Sequence, residues 1–276
     1  MMHTTLVSTQ QLADHPEWRV FDCRHDLMKP QAGEEQYLKA HIPGALFAHL
    51  DRDLSSVRDG RNGRHPLPYA GAFIAWIGQQ GVRPEDQVVC YDAGPGTTAA
   101  RLWWMLRWIG HEAVAVLDGG FAKWTAEGHP VTDLVPRFKH TAYPARRSAG
   151  DAVGVGFVEK NRGELVLVDA RAPQRFRGES EPIDRIAGHI PGAKNRFCND
   201  NLTPQGVFKA PEQLRQEFAA IVGKANPSLV VNYCGSGVAA CHNLLAMEVA
   251  GLKGAKLYAG SWSDWITDPK RPIGKA

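Results

Sequence analysis

Short apolar runs rich in β-branched residues alternate along this chain with longer stretches whose apolar positions recur every three or four residues. In the first half, Val20 to Asp22, Val88 to Tyr91 and Val114 to Leu117 read as strands. Thr98 to Ile109 reads as a helix that sets Leu102, Leu106 and Ile109 on one face. In the second half, Val166 to Val168, Leu229 to Tyr233 and Lys256 to Leu257 read as strands, and Val238 to Val249 as a helix. Strands separated by helices predict parallel sheets joined by crossovers, so the expected fold class is α/β in each half, a parallel β-sheet flanked by helices.

The two halves repeat one another, and repeats decide architecture before any local detail does. Val20-Phe21-Asp22-Cys23-Arg24 is echoed by Leu167-Val168-Asp169-Ala170-Arg171, and His41-Ile42-Pro43-Gly44-Ala45 recurs letter for letter as His189-Ile190-Pro191-Gly192-Ala193. Val88 to Asp92 matches Val230 to Cys234, and Gly119 to Trp124 matches Gly260 to Trp265. The expected organisation is a first domain over 1–134, a linker over 135–151 that contains Pro136, Pro144 and Gly150, and a second domain over 152–276. A length of 276 residues is ample for two cores.

Charge narrows the partners. The formal net charge is only +3, and the basic residues are scattered, so nucleic acid is not an expected partner. Even the basic stretch Arg137 to Arg147 is diluted by prolines and small residues and reads as a solvated linker. No run approaches the ~18 apolar residues of a spanning helix, and no leader pattern is visible, so a cytoplasmic protein without membrane contact is expected. Five cysteines without a CxxC pair suggest neither a disulfide framework nor a metal site.

The chemistry concentrates at Cys234-Gly235-Ser236-Gly237-Val238-Ala239-Ala240-Cys241, where the apolar run of the second copy gives way to a helix. Ligand sites form at the carboxyl ends of parallel strands. Glycines let successive N–H groups converge, and a helix N-terminus favours negative charge. A cysteine placed there is favoured as a thiolate nucleophile, and the same amides suit an anionic sulfur adduct. The same letters also suit a buried structural cysteine before a glycine turn. In the first copy the equivalent position is Asp92, so only one half can perform thiolate chemistry.

This loop, the two His-Ile-Pro-Gly-Ala elements, Arg175-Phe176-Arg177-Gly178 and the closing Gly260-Ser261-Trp262-Ser263-Asp264-Trp265 resemble the two-domain rhodanese family, in its 3-mercaptopyruvate sulfurtransferase branch. The resemblance covers nearly the whole chain and implies two tandem rhodanese-like domains, the first catalytically inactive. Ala239 departs from it, since the family loop usually has Thr there. It further implies that Cys234 forms the persulfide and Ser236 is the loop serine, with Gly235, Gly237, Val238 and Ala239 completing the substrate cradle. Arg175 would grip the substrate carboxylate, a role suited to a rigid fork of donors; a surface salt bridge is the alternative. His65 and Asp51 would extend Ser236 into a proton relay, although His65 also fits a solvated loop. The family's second substrate arginine falls at Ile183 or Pro182 here, leaving Arg185 as the nearby candidate. Arg24 and Arg171 are expected to pair locally with strand-end aspartates, and Trp103 and Trp104 to pack in a core or interface.

The implied reaction takes sulfur from 3-mercaptopyruvate to an acceptor, cyanide or a thiol (a small thiol or a thioredoxin-like protein), without cofactor or metal. The alternatives are thiosulfate:cyanide transfer and a noncatalytic sulfane-sulfur carrier. Thiosulfate-preferring relatives usually have cations at the two loop positions occupied here by Gly235 and Ser236. A cysteine phosphatase is disfavoured, because its loop ends in an arginine where this one has Ala240. At seven residues beyond Cys234, about 10 Å along a helix, Cys241 is not expected to resolve an adduct.

Overall fold

The computed structural model describes residues 2–144 and 152–275. Part of the expected linker, 145–151 with Arg146, Arg147 and Gly150, lies outside the described residues. The chain divides into two compact units. One comprises Met1–Ser56, Pro68–Gly150 and Pro204–Val207, the other Val57–Leu67, Asp151–Thr203 and Phe208–Ala276. Segment Val57–Leu67 thus belongs to the second unit although it precedes residue 134 in the chain.

The first unit holds β1 (Leu6–Val7), β2 (Arg19–Asp22), β3 (Ala45–Phe47), β4 (Val88–Tyr91) and β5 (Val114–Leu117), all parallel, in the order β1-β5-β4-β2-β3. The second holds β6 (Ala152–Val153), β7 (Val166–Asp169), β8 (Lys194–Asn195), β9 (Val230–Tyr233) and β10 (Lys256–Tyr258), again parallel, in the order β6-β10-β9-β7-β8. The two orders are the same, so the duplication read in the letters is a duplication of topology.

The inner strands β4, β5 and β9 are buried at every position. Parallel sheets are covered on both faces, which is why these strands are runs rather than alternations. The helices Thr97–Trp108 and Ala239–Val249 follow β4 and β9 and agree with the sequence expectation to within a residue at most boundaries. Leu229 departs from it: Asn226 caps the amide of Ser228, and Pro227–Leu229 forms a tight 3-10 turn before the strand begins at Val230. Trp103 and Trp104 pack into the first unit, the Trp103 indole donating to the Thr4 carbonyl at 2.9 Å.

The repeated motifs turn out to be one network used twice. Arg24 clasps Asp22 and donates to the Ala40 carbonyl at 2.6 Å, just before His41; Arg171 clasps Asp169 and donates to the Gly188 carbonyl at 2.6 Å, just before His189. The hydroxyls of Tyr91 and Tyr233, at the ends of β4 and β9, accept from the amides of Ile42 and Ile190, each at 3.2 Å. A buried charged pair this well bonded would be costly to break on one side only. The network fixes the C-terminal edge of each sheet, where the loops of interest start. No helix among the described residues is long and apolar enough to cross a membrane.

Candidate active site

Cys234 directly follows β9 and is buried, 2% exposed. Its amide donates to Ser261 Oγ at 3.0 Å. Its carbonyl accepts from Trp262 N at 3.0 Å, and that of Gly235 from Ser263 N at 2.9 Å. The closing Gly-Ser-Trp-Ser motif is therefore a brace for the loop. The Cys234 sulfur accepts from the Gly237 amide at 3.1 Å. Gly237 has φ +78°, and a Cβ there would lie 2.3 Å from the Ala259 carbonyl oxygen, so no other residue fits without moving the backbone. Val238 and Ala239 lead into the helix, whose positive end faces the loop. Cys241, in that helix, donates to the Gly237 carbonyl at 3.3 Å.

Ser236 Oγ lies 2.7 Å from His65 Nδ1, both side chains buried. The segment Val57–Leu67 is tied down beside them, the Arg64 amide donating to Ser263 Oγ at 3.0 Å. Asp51 belongs to the first unit, where its amide donates to His49 Nδ1 at 3.1 Å.

Arg175 sits in the short helix Pro173–Arg177 and donates to Glu181 Oε1 at 2.7 Å and to Asp184 Oδ2 at 3.1 Å. Burial alone would push the Glu181 carboxyl up, yet hydrogen bonds from Arg175 and from the amides of Asp184 and Ile183 hold it below the usual carboxylate range. Arg185, the sequence candidate for a second substrate arginine, is exposed and donates to the Ile266 carbonyl. The arginine that the sequence reading passed over is Arg64. It forms an ion pair with Asp184, and its Nη2 would lie 2.6 Å from a Cβ built on Gly235, with Arg175 Nη2 at 3.5 Å. Two guanidinium groups thus converge on the residue after Cys234. The available signal was adjacency, since Arg64 immediately precedes His65.

The first unit has the same loop around Asp92. Its Oδ1 accepts from the amides of Gly94 at 3.0 Å and Gly96 at 2.9 Å, and its Oδ2 from the amide of Thr98 at 3.0 Å, the Thr98 hydroxyl at 3.1 Å and the amide of Ala99 at 3.4 Å. The brace is repeated as well: Phe121 N donates to the Asp92 carbonyl at 2.9 Å and Ala122 N to that of Ala93 at 3.0 Å.

Comparison with known proteins places this architecture. The rhodanese-like domain model matches residues 5–127 and 158–268. A Pseudomonas aeruginosa protein named as a probable 3-mercaptopyruvate sulfurtransferase is 46% identical, over 99% of both chains. The thiosulfate sulfurtransferase of Bos taurus is 34% identical, over 96% of this chain and 93% of its own. Among solved structures, the 3-mercaptopyruvate sulfurtransferase from Leishmania major superimposes with a TM-score of 0.85 at 32% identity, over 94% of this chain and 73% of that one. With two matched domains, two sheets of one topology and sulfurtransferases as full-length relatives, the chain belongs to the rhodanese family, among its two-domain sulfurtransferases.

Proposed function

We propose that this protein takes sulfur from 3-mercaptopyruvate onto Cys234 and passes it to a thiol or cyanide. The observation that carries the reading is the Cys234 sulfur within reach of a loop amide, beside the Ser236–His65 pair and the Arg175 guanidinium. The Cys234 thiolate attacks the donor sulfur, and the carbon–sulfur bond breaks with its electron pair going to carbon. That leaves a protonated persulfide on Cys234 and the enolate of pyruvate. Ser236, backed by His65, is placed to hand on the proton that converts the enolate to pyruvate. Asp51 is proposed as the outer member of that relay.

An acceptor thiolate then attacks the outer sulfur, forming its own persulfide and returning Cys234 as thiolate. The amides of Gly235, Gly237, Val238 and Ala239 are proposed to hold the anionic sulfur, while Arg175 holds the carboxylate. Small thiols or a thioredoxin-like protein in the cytoplasm are the proposed acceptors. Thiosulfate is a second reading, favoured by one observation: Arg64 puts a cation against Gly235, where the loop itself has none.

Intact-mass measurement after mixing with mercaptopyruvate tests the reading. The expected result is one added sulfur, on Cys234, with stoichiometric pyruvate. In steady state with one common acceptor, kcat/KM for mercaptopyruvate should exceed that for thiosulfate at least about tenfold, or about 1.4 kcal/mol. No added sulfur overturns the mechanism, and a preference for thiosulfate overturns only the donor.

A further inference from the structure

Ser261 is the one residue other than glycine with a positive φ among the described residues, at +56°. A Cβ makes that left-handed region costly for serine. The matching residue of the repeat is Gly120, at φ +57°, so the fold imposes the same turn on both copies, and only the first fills it with the residue that adopts it freely. We infer that Ser261 is a positioning residue for the nucleophile: its hydroxyl, set between β9 and β10 where the two strands part, fixes how Cys234 leaves the sheet, and the chain bears a strained backbone to keep a hydroxyl there. This rests on the proposed sulfur transfer at Cys234 and adds a residue to it.

The ladder between the two strands locates the hydroxyl. Tyr233 turns its carbonyl towards β7, where it accepts from the Ala170 amide at 2.8 Å, so the next amide, that of Cys234, faces β10. Lys256 pairs with Val231 and Leu257 with Asn232, and this register continued would bring the Cys234 amide to the Tyr258 carbonyl. Ser261 Oγ stands between those two groups instead, accepting from the amide at 3.0 Å and donating to the carbonyl at 2.9 Å. Its single proton is committed to Tyr258, so its oxygen is left to hold Cys234. The ladder is thereby opened by the width of one hydroxyl at Cys234, in a place where Ser261 is fully buried.

The first copy builds the same loop and brace without this hydroxyl. Phe121 N and Ala122 N donate to the carbonyls of Asp92 and Ala93, as Trp262 N and Ser263 N do to those of Cys234 and Gly235, and a Cβ on Gly120 would lie 2.7 Å from the Asp92 carbonyl oxygen. There the Asp92 carboxylate ties down its own loop through four amides and a hydroxyl. A cysteine has no such carboxylate, and the sulfur that accepts from the Gly237 amide has to stay able to react. An anchor on the Cys234 backbone amide supplies the missing constraint and leaves the sulfur untouched. The fold therefore does not require a hydroxyl at this turn, and the copy with the cysteine is the one that has it.

The test compares Ser261→Gly with Ser261→Ala in the full chain, by thermal unfolding and by single-turnover loading of Cys234 read by intact mass over a range of mercaptopyruvate concentrations. Both variants lose the hydroxyl, but only glycine is released from the strain. The alanine variant is therefore expected to melt about 2 °C or more below the glycine variant, the reverse of the usual order of these residues in a helical turn. In both, the maximal loading rate should fall about tenfold, as a displaced nucleophile implies, while the half-saturating donor concentration changes less than about twofold. Unaltered maximal loading in Ser261→Gly would overturn the assignment, as would a loss confined to half-saturation, which would place Ser261 in donor binding. An alanine variant at least as stable as the glycine variant would remove the strain on which the inference stands. Failure of the unmodified protein to load any sulfur would instead overturn the proposed function, and it is distinguishable because the order of melting temperatures does not depend on a donor.

Discussion

The Asp92 and Cys234 loops are two uses of one backbone device. Each follows the central strand of a five-stranded parallel sheet, each leads into a helix five residues later, and each is braced by two amides from the closing motif. In the first loop the side chain supplies its own anion, and four backbone amides and a hydroxyl are taken up by the Asp92 carboxylate. In the second, a shorter side chain ends in a sulfur that accepts from the Gly237 amide. The cradle thus offers backbone amides to a side-chain acceptor in both units. Filling it permanently gives a structural element, and on the function proposed above the sulfur of Cys234 turns the same device into a site. What surrounds the loops differs too. The second has Ser236 with His65, and Arg64 with Arg175, at its mouth, whereas Gly94 occupies the position matching Ser236.

The sharpest way to break this comparison is Cys234→Ser. A hydroxyl is scarcely ionised at neutral pH and cannot carry persulfide sulfur, so transfer should fall to background while thermal unfolding stays close to that of the unmodified protein. Retained turnover would mean that the second loop is as structural as the first.

The next largest effect is expected at Asp92→Ala, which removes the acceptor from several amides at a helix N-terminus. Stability should drop by roughly 2–4 kcal/mol in denaturant titration, a cost set by donors left unpaired. Asp92→Asn, which keeps one oxygen acceptor, should lose less. A neutral Asp92→Ala would show that water fills that cradle at no cost.

The smallest and most selective effect is predicted for Ser236→Ala. It should lower kcat with mercaptopyruvate about tenfold, within the range of a lost proton-transfer partner, and affect thiosulfate less, because sulfite departs without needing a proton. Equal losses with both donors would assign Ser236 to shaping the loop rather than to moving a proton.

Much of the scaffold was legible before any coordinates, because the inner strands are unbroken apolar runs and the duplicated letters mark duplicated contacts. Asp22 with Arg24 and Asp169 with Arg171 pair locally, as their spacing suggests. The outer strands β1, β3, β6 and β8 were not legible. Two or three residues carry no period, and their place is set by pairing with a neighbour rather than by their own sequence. At the site, the glycine-rich turn after Cys234 is visible in its own letters, whereas Arg175 was singled out only through the family resemblance. Arg64 had only its adjacency to His65 as a signal, and the Asp184 that holds it lies 120 positions away. The filled cradle of Asp92 was equally hidden: the letter shows that a nucleophile is missing, but not that a carboxylate has taken over its amides.

The membership of Val57–Leu67 in the second unit carries a consequence for how this chain can be divided. Duplication normally yields two modules that can be separated at the seam between them. Here a cut at that seam would leave the nucleophile, Ser236 and Arg175 on one fragment while removing Arg64 and His65 with the other. The half that has Asp92 where the other has Cys234 is therefore not a detachable vestige. It encodes a piece of its sibling, and the gene for the second copy alone lacks Arg64 and His65, so the pair has become a single heritable unit.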